Sequence, residues 1–261
     1  MIITSTDNLK IKNLIRLKKA GKRREQGLII IDGAREINLA FQSGLEIQAF
    51  FYCPDLFKDQ TNYPEFFKKL EDRGTELSKT VFKKVCYKEA PDGFLALAKP
   101  RPHTFNDIKP SQKSLIVILE GLEKPGNLGA ILRTTRAAGV DAVIINDNQV
   151  NLYHPNVIRA SEGQIFTQKI VCASPEQTKN WLKEQQIYTY GATGGAKKNY
   201  TEVDLKGAVA LVFGSEALGL SDFWLKSADN LIKIPMMSGV DSLNVSVAAA
   251  IMIFEAKRQR G

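Results

Sequence analysis

The sequence predicts an α/β protein: a mostly parallel, helix-covered sheet in the C-terminal half, preceded by a smaller α/β unit. Three observations lead there. Apolar runs of strand length alternate with helical patterns along the chain. Two of those runs, 115–119 and 142–145, are apolar without interruption, as strands buried on both faces require. Between the halves, Lys99-Pro100-Arg101-Pro102-His103 interrupts any regular element, because two prolines remove donors and fix φ. The expected division is a first domain over 1–105, a linker over 106–114 and a second domain over 115–261.

The elements follow in order. Residues 8–24 read as a helix whose apolar face includes Ile11, Leu14, Ile15 and Leu17. The β-branched run 27–31 reads as a strand and leads through Asp32-Gly33 into a helix over 34–43, stopped by Gly44. A second strand covers 47–52, and a helix covers 64–73 up to Gly74. Short edge strands are expected at 75–77 and 85–86, around a basic turn or helical piece at 79–84, with a further strand at 94–98. The second half starts with the strand at 115–119. A helix over 127–138 follows, with Asn127 as its N-cap and Gly139 as its stop, then the strand at 142–145. Residues 176–185 have helical spacing, while 187–191, 209–213 and 232–234 read as strands. The last helix, 244–257, is apolar almost all round from Val245 to Phe254, which suits a core or a subunit interface.

Composition narrows the function. Of 261 residues, 44% are hydrophobic and 25% charged, an ordinary globular balance that excludes disordered and fibrous classes. Cys53, Cys86 and Cys172 lack CxxC spacing, and His103 and His154 stand alone, so no metal site is expected. The first thirty residues lack a signal-peptide core and no run of about 18 apolar residues occurs, so a cytoplasmic protein with no membrane span is expected. The net charge of +8 is uneven: residues 1–113 carry twenty-one basic and fourteen acidic side chains, the remainder fifteen and fourteen. Positions 8–24 hold eight basic residues and no acid. Lys18, Lys19, Lys22, Arg23 and Arg24, with Arg35 beyond them, are therefore candidate contacts to a polyanion. A solvated basic surface helix explains the run equally well.

Three segments carry polar residues that plain packing does not explain. In 119–133 a buried strand opens into a loop containing Pro125, Gly126 and Asn127 before a helix bearing Arg133. A helix that begins beyond the carboxyl end of a strand is a common ligand-binding geometry. In 212–220 a strand ends in Gly214, where a ligand could approach the backbone closely, and Glu216 follows. In 234–247 a short strand and loop lead to Ser242, Asn244 and Ser246. Capping by Asp241 or Ser242 leaves Asn244 and Ser246 unexplained in an apolar stretch. Taken singly, a cap for Asn127, a solvated or paired Arg133 and a helix-start acid for Glu216 all remain reasonable. No GxGxxG or GxxxxGK[ST] is present, so dinucleotide and P-loop sites are unsupported. The glycine-rich stretch 191–196 suits either a flexible loop or part of a cofactor wall.

In this order and spacing, the three segments resemble the three motifs of the SpoU/TrmH branch of the SPOUT RNA 2′-O-methyltransferases over about residues 115–258. The first half, through 25–28 and 31–36, is more loosely similar to that family's RNA-binding extension, a small ribosomal-protein-like α/β domain. The resemblance implies a C-terminal α/β-knot (a deep trefoil), an obligate homodimer, and S-adenosyl-L-methionine as cofactor without a metal. It places the cofactor against Gly214, Ile234 and Leu243, with Met236, Ala192, Thr193 and Gly194 as neighbours. It makes Arg133, Asn127, Glu216, Ser242 and Asn244 the catalytic set, with Arg133 acting as a base or as a phosphate and alkoxide clamp. The implied activity is ribose 2′-O-methylation of RNA, with 23S rRNA the leading substrate. A tRNA ribose methyltransferase, an antibiotic-resistance rRNA methylase and a non-catalytic RNA-binding assembly factor remain alternatives.

Overall fold

The computed structural model of the chain describes residues 2–58, 65–147 and 149–261. Two compact units divide at Arg101/Pro102, and the segment Tyr153–Thr167 belongs to the first of them. The expected second domain, 115–261, includes this segment in sequence, while its contacts group it with the first unit. The segment forms a short helix with Pro155, Val157 and Ile158 buried, and it packs on the first strand of the N-terminal unit.

In that unit the chain runs through α1 (Leu9–Leu17), α2 (Ala20–Gln26), β1 (Ile29–Asp32), α3 (Ala34–Gln42), β2 (Ile47–Tyr52), α4 (Glu65–Leu70), β3 (Gly74–Glu76), α5 (Lys79–Val85) and β4 (Phe94–Ala98). The sheet order is β1-β4-β2-β3, antiparallel except for the parallel β2/β3 pair. Ile11, Leu14 and Leu17 of α1 meet Val81, Phe82 and Val85 of α5 in one core. A cluster of rings, Phe50, Phe57, Phe66, Phe67 and Phe94, forms another part of the interior. The single helix expected at 8–24 is two, because Lys19 takes an extended conformation (φ −80°, ψ 129°) between them. Pro64, the expected first residue of the fourth helix, lies outside the described residues, and residues 71–73 tighten into a 3-10 turn. Residues 85–86 do not form the expected edge strand: Val85 closes α5, whose N-cap is Ser78.

The segment 31–36 is an internal clasp. The Asp32 carboxylate accepts from the backbone amides of Tyr87 (2.6 Å) and Lys88 (3.0 Å), and Asp92 accepts from the amide of Ala34 (3.0 Å). Glu36 pairs with Lys88 at 3.1 Å. Burial raises the Asp32 carboxyl above its usual range, against the two amides and Lys88, which lower it.

The second unit contains β5 (Leu115–Glu120), α6 (Pro125–Ala138) and β6 (Ala142–Asn146). The chain then passes through α7 (Pro155–Ala160), the helix of the first unit, and returns as β7 (Ile170–Cys172), α8 (Pro175–Glu184), β8 (Tyr188–Ala192), β9 (Lys198–Asn199), β10 (Val209–Phe213), α9 (Asp222–Ser227), β11 (Asn230–Lys233) and α10 (Val245–Arg260). The sheet order is β7-β6-β5-β10-β8-β11-β9 and every pairing is parallel. Strands β5, β6 and β10 are buried along their whole length, in keeping with their apolar runs. Strand order reverses at β5, which lies between β6 and β10, so the loops leaving β5 and β10 diverge at a switch point. After β11 the chain returns to α10, which packs on α6 and β10. Arg260 fastens its last turn by donating to the carbonyls of Leu205 (2.9 Å) and Gly207 (2.8 Å).

Candidate active site

The site is built from the loops at the carboxyl ends of β5, β8, β10 and β11 and from the start of α10. They enclose a cavity of about 550 Å³, within the range of small-molecule sites. Its apolar wall includes Phe213, Ile234, Met236, Leu243, Val245, Ala248 and Met252; Lys124, Glu216, Lys233 and Asp241 supply charge.

All seven residues that the family resemblance associates with the cofactor line this cavity: Ala192, Thr193, Gly194, Gly214, Ile234, Met236 and Leu243. Of the five candidate catalytic residues, Glu216, Ser242 and Asn244 line it as well. Asn127 is bound to two of them: its amide donates to Glu216 Oε1 at 2.5 Å, and its Oδ1 accepts from Asn244 Nδ2 at 3.2 Å. One carboxamide thus ties together the loops after β5 and β10 and the start of α10. Arg133 lies six residues further along α6, exposed and outside the cavity lining.

Several local readings change. Asn127 is not the N-cap of α6. The helix starts two residues earlier at Pro125, because proline has no N–H to satisfy in a first turn, and Lys124 occupies the cap position. Capping does account for Asn244, which is the N-cap of α10: its Oδ1 accepts from Ser246 N at 2.9 Å and Ser246 Oγ at 2.6 Å. Glu216 starts no helix; it sits in the tight turn 214–219. That turn explains Gly214. A Cβ there would stand 2.0 Å from the Gly219 carbonyl oxygen, so the close approach is first of all by the protein's own backbone.

Among the basic candidates, Arg23 is corrected. It is 4% exposed and donates to the carbonyls of Leu17 and Lys18 (both 2.8 Å) and to Tyr87 Oη (3.1 Å), so it joins α1, α2 and the 86–92 segment rather than facing a polyanion. Lys18 donates to the Lys84 carbonyl at 2.7 Å, Lys22 pairs with Glu25 at 2.6 Å, and Arg35 pairs with Glu162. Lys19 and Arg24 are exposed. The sequence reading missed Lys124, Leu218, Lys233, and the stripe Val245, Ala248 and Met252. The i, i+3, i+7 spacing of that stripe was present, but an almost uniformly apolar helix shows no preferred face.

An all-parallel α/β domain with a cavity at its strand ends, bordered by an amide–carboxylate network, is the class of open parallel sheet that takes a small molecule at its carboxyl edge. The chain belongs to the SpoU rRNA Methylase family, whose pattern matches residues 114–254, and residues 8–96 match the MRM3-like substrate binding domain. It is 40% identical over 149 residues to the 23S rRNA (guanosine-2′-O-)-methyltransferase RlmB of Xanthomonas axonopodis pv. citri, covering 57% of this chain and 60% of that one. The match thus spans about three fifths of that relative's length. A putative TrmH family tRNA/rRNA methyltransferase of Staphylococcus epidermidis is 32% identical over 241 residues, 89% of this chain and 96% of the relative. Among solved structures, an RNA 2′-O ribose methyltransferase superposes with TM-score 0.85 at 38% identity, covering 100% and 99% of the two chains. An AdoMet-bound rRNA methyltransferase from Sinorhizobium meliloti superposes with TM-score 0.88 at 26% identity, covering 99% and 97%.

Proposed function

We propose that the protein transfers a methyl group from S-adenosyl-L-methionine to a ribose 2′-hydroxyl of 23S rRNA. The observation that carries this reading is the Glu216–Asn127–Asn244 bridge, which borders a cavity lined by Gly214, Ile234 and Leu243. The cavity suits the donor chemically: Ile234, Met236 and Leu243 offer apolar surface to a purine, and the strand-end backbone offers polar groups. When bound, the sulfonium donor supplies an electrophilic methyl group.

The protein's own task is then to orient and activate a weakly acidic hydroxyl. Asn127 and Glu216 fix the spacing of the loops, and Ser242 and Asn244 organise the acceptor side. Arg133 brings a planar guanidinium, which offers five N–H donors and no acceptor, so it is poorly suited to take a proton. It therefore holds a neighbouring phosphate and stabilises negative charge developing on the acceptor oxygen.

The substrate-binding match over the first unit and the 23S rRNA relative support ribosomal RNA as substrate. The exposed Lys19 and Arg24 would meet its phosphates. Val247 and Phe254, 47% and 49% exposed along α10, support a homodimer that covers this apolar stripe. The return from β11 to an α10 packed on α6 and β10 supports a C-terminal trefoil. The division into a recognition unit and a catalytic unit is part of the same proposal. The buried thiols of Cys53 and Cys86 suit a cytoplasmic protein. Among the described residues no helix is long and apolar enough to cross a membrane.

The test is transfer of labelled methyl from S-adenosyl-L-methionine to unmodified rRNA and tRNA, followed by nuclease digestion. Label in a 2′-O-methylnucleoside from rRNA is expected. Label confined to tRNA, to a base, or to no RNA contradicts the reading.

A further inference from the structure

The cavity rim carries two side chains to which neither the cofactor reading nor the polar bridge gives a role. Lys124 is exposed on the loop after β5, and Leu218 is 89% exposed at the tip of the turn after β10. Both line the cavity.

A single exposed leucine is ordinary, but the backbone beneath this one is locked. Ser215 N donates to Gly219 O and Gly219 N to Ser215 O, each at 3.0 Å, while Leu218 N donates to Ser215 Oγ at 3.0 Å. The turn holds an apolar side chain in water at the mouth of the cavity. The same turn is fastened to the loop of Lys124. Glu216 accepts from Asn127 Nδ2 at 2.5 Å, and its other oxygen lies 3.5 Å from Glu123 N, the residue next to Lys124. One carboxylate therefore sets the spacing between a cation and an apolar tip.

A nucleotide that presents its 2′-oxygen brings an anionic phosphate on one side of the ribose and an apolar base face on the other. Lysine supplies a compact point charge for a phosphate. An aliphatic side chain at a rigid tip can lie against a base that has left its stack. We propose that Lys124 and Leu218 together grip the acceptor nucleotide, Lys124 through its phosphate and Leu218 through its base. This rests on the RNA methyltransferase reading and adds to it the two residues that hold the nucleotide at the cavity mouth.

The experiment uses the full-length protein with unmethylated 23S rRNA transcript. It compares Lys124→Gln, Lys124→Arg, Leu218→Ala and Leu218→Met by filter binding over a range of KCl, alongside kcat and KM. Lys124→Gln is expected to weaken RNA binding about three- to tenfold at 0.1 M salt. It should also make the log–log salt slope shallower by about 0.7–0.9, the loss of one phosphate contact, and Lys124→Arg should restore it. Leu218→Ala is expected to weaken binding by a similar factor with the slope unchanged, and Leu218→Met to recover most of it.

Subunit mass by sedimentation should stay as in the unsubstituted protein. An unchanged slope in Lys124→Gln, or unchanged RNA affinity in Leu218→Ala, overturns the proposal. So does a binding loss in Leu218→Ala that follows a loss of dimer, because Leu218 then belongs to a contact between copies. If the unsubstituted protein methylates no RNA, the proposed activity fails, while the binding measurements still judge the two contacts.

Discussion

Replacing Gly214 by alanine tests whether the 214–219 turn shapes the cavity. The added Cβ would lie 2.0 Å from Gly219 O, 2.1 Å from Gly219 C and 2.3 Å from Leu220 N, all backbone atoms that cannot swing aside. Relief requires about 1 Å of movement between two backbone segments. Overpacking of this kind costs roughly 1–3 kcal/mol. Parting Ser215 from Gly219 also sacrifices two hydrogen bonds, each worth about 0.5–1.5 kcal/mol net. The expected destabilisation is therefore about 2–6 kcal/mol, read from the denaturant midpoint at unchanged slope. Gly214 and Glu216 both border the cavity, so calorimetric affinity for S-adenosyl-L-methionine should fall by more than about tenfold, equivalent to 1.4 kcal/mol. Stability within about 0.5 kcal/mol of the parent, together with unaltered affinity, would refute the reasoning.

Three further outcomes follow. Arg133→Ala should nearly abolish methyl transfer while leaving cofactor affinity intact, since Arg133 stands outside the cavity lining; equal losses of both, by calorimetry and turnover, would remove its assigned role. Arg23→Ala should destabilise the protein by about 1.5–3 kcal/mol in denaturant, because its charged bonds to Leu17, Lys18 and Tyr87 are lost; Arg24→Ala should leave stability unchanged and weaken RNA binding. His154 caps α7 by accepting from Asn156 N at 3.1 Å, and burial, with Arg23 nearby, holds its pKa below 6.5. The folded state favours the neutral ring. Its contribution is thus present above about pH 6.5 and lost as pH falls through that value towards the depressed folded pKa, and His154→Asn should flatten the profile in pH-dependent unfolding.

How much of this was legible in the sequence depends on what each residue needed. The strands at 47–52, 94–98 and 209–213 were read with their observed limits, because their apolar or β-branched runs end at clear breaks. Between residues 146 and 175, α7 and the three-residue β7 went unread. Both are too short to establish a period, and α7 is held by contacts with distant β1. Arg23 looked like its basic neighbours, since nothing local shows that its acceptors include Tyr87, sixty-four positions away. Asn127, Glu216, Ser242 and Asn244 stood out as polar groups beyond strand ends, whereas the cofactor set was reached only through the family resemblance. The connection among the polar groups was not legible: Asn127 finds Glu216 eighty-nine positions later and Asn244 one hundred and seventeen later, distances that only the folded sheet closes.

The account depends most on the strand-end cavity being the place where the methyl donor binds. A crystal structure of the protein soaked with S-adenosyl-L-methionine tests this directly. The prediction is donor density against Gly214, Ile234 and Leu243, with the Asn127 bridge to Glu216 and Asn244 intact. Donor bound elsewhere, or a cavity left empty at saturating donor, would contradict it.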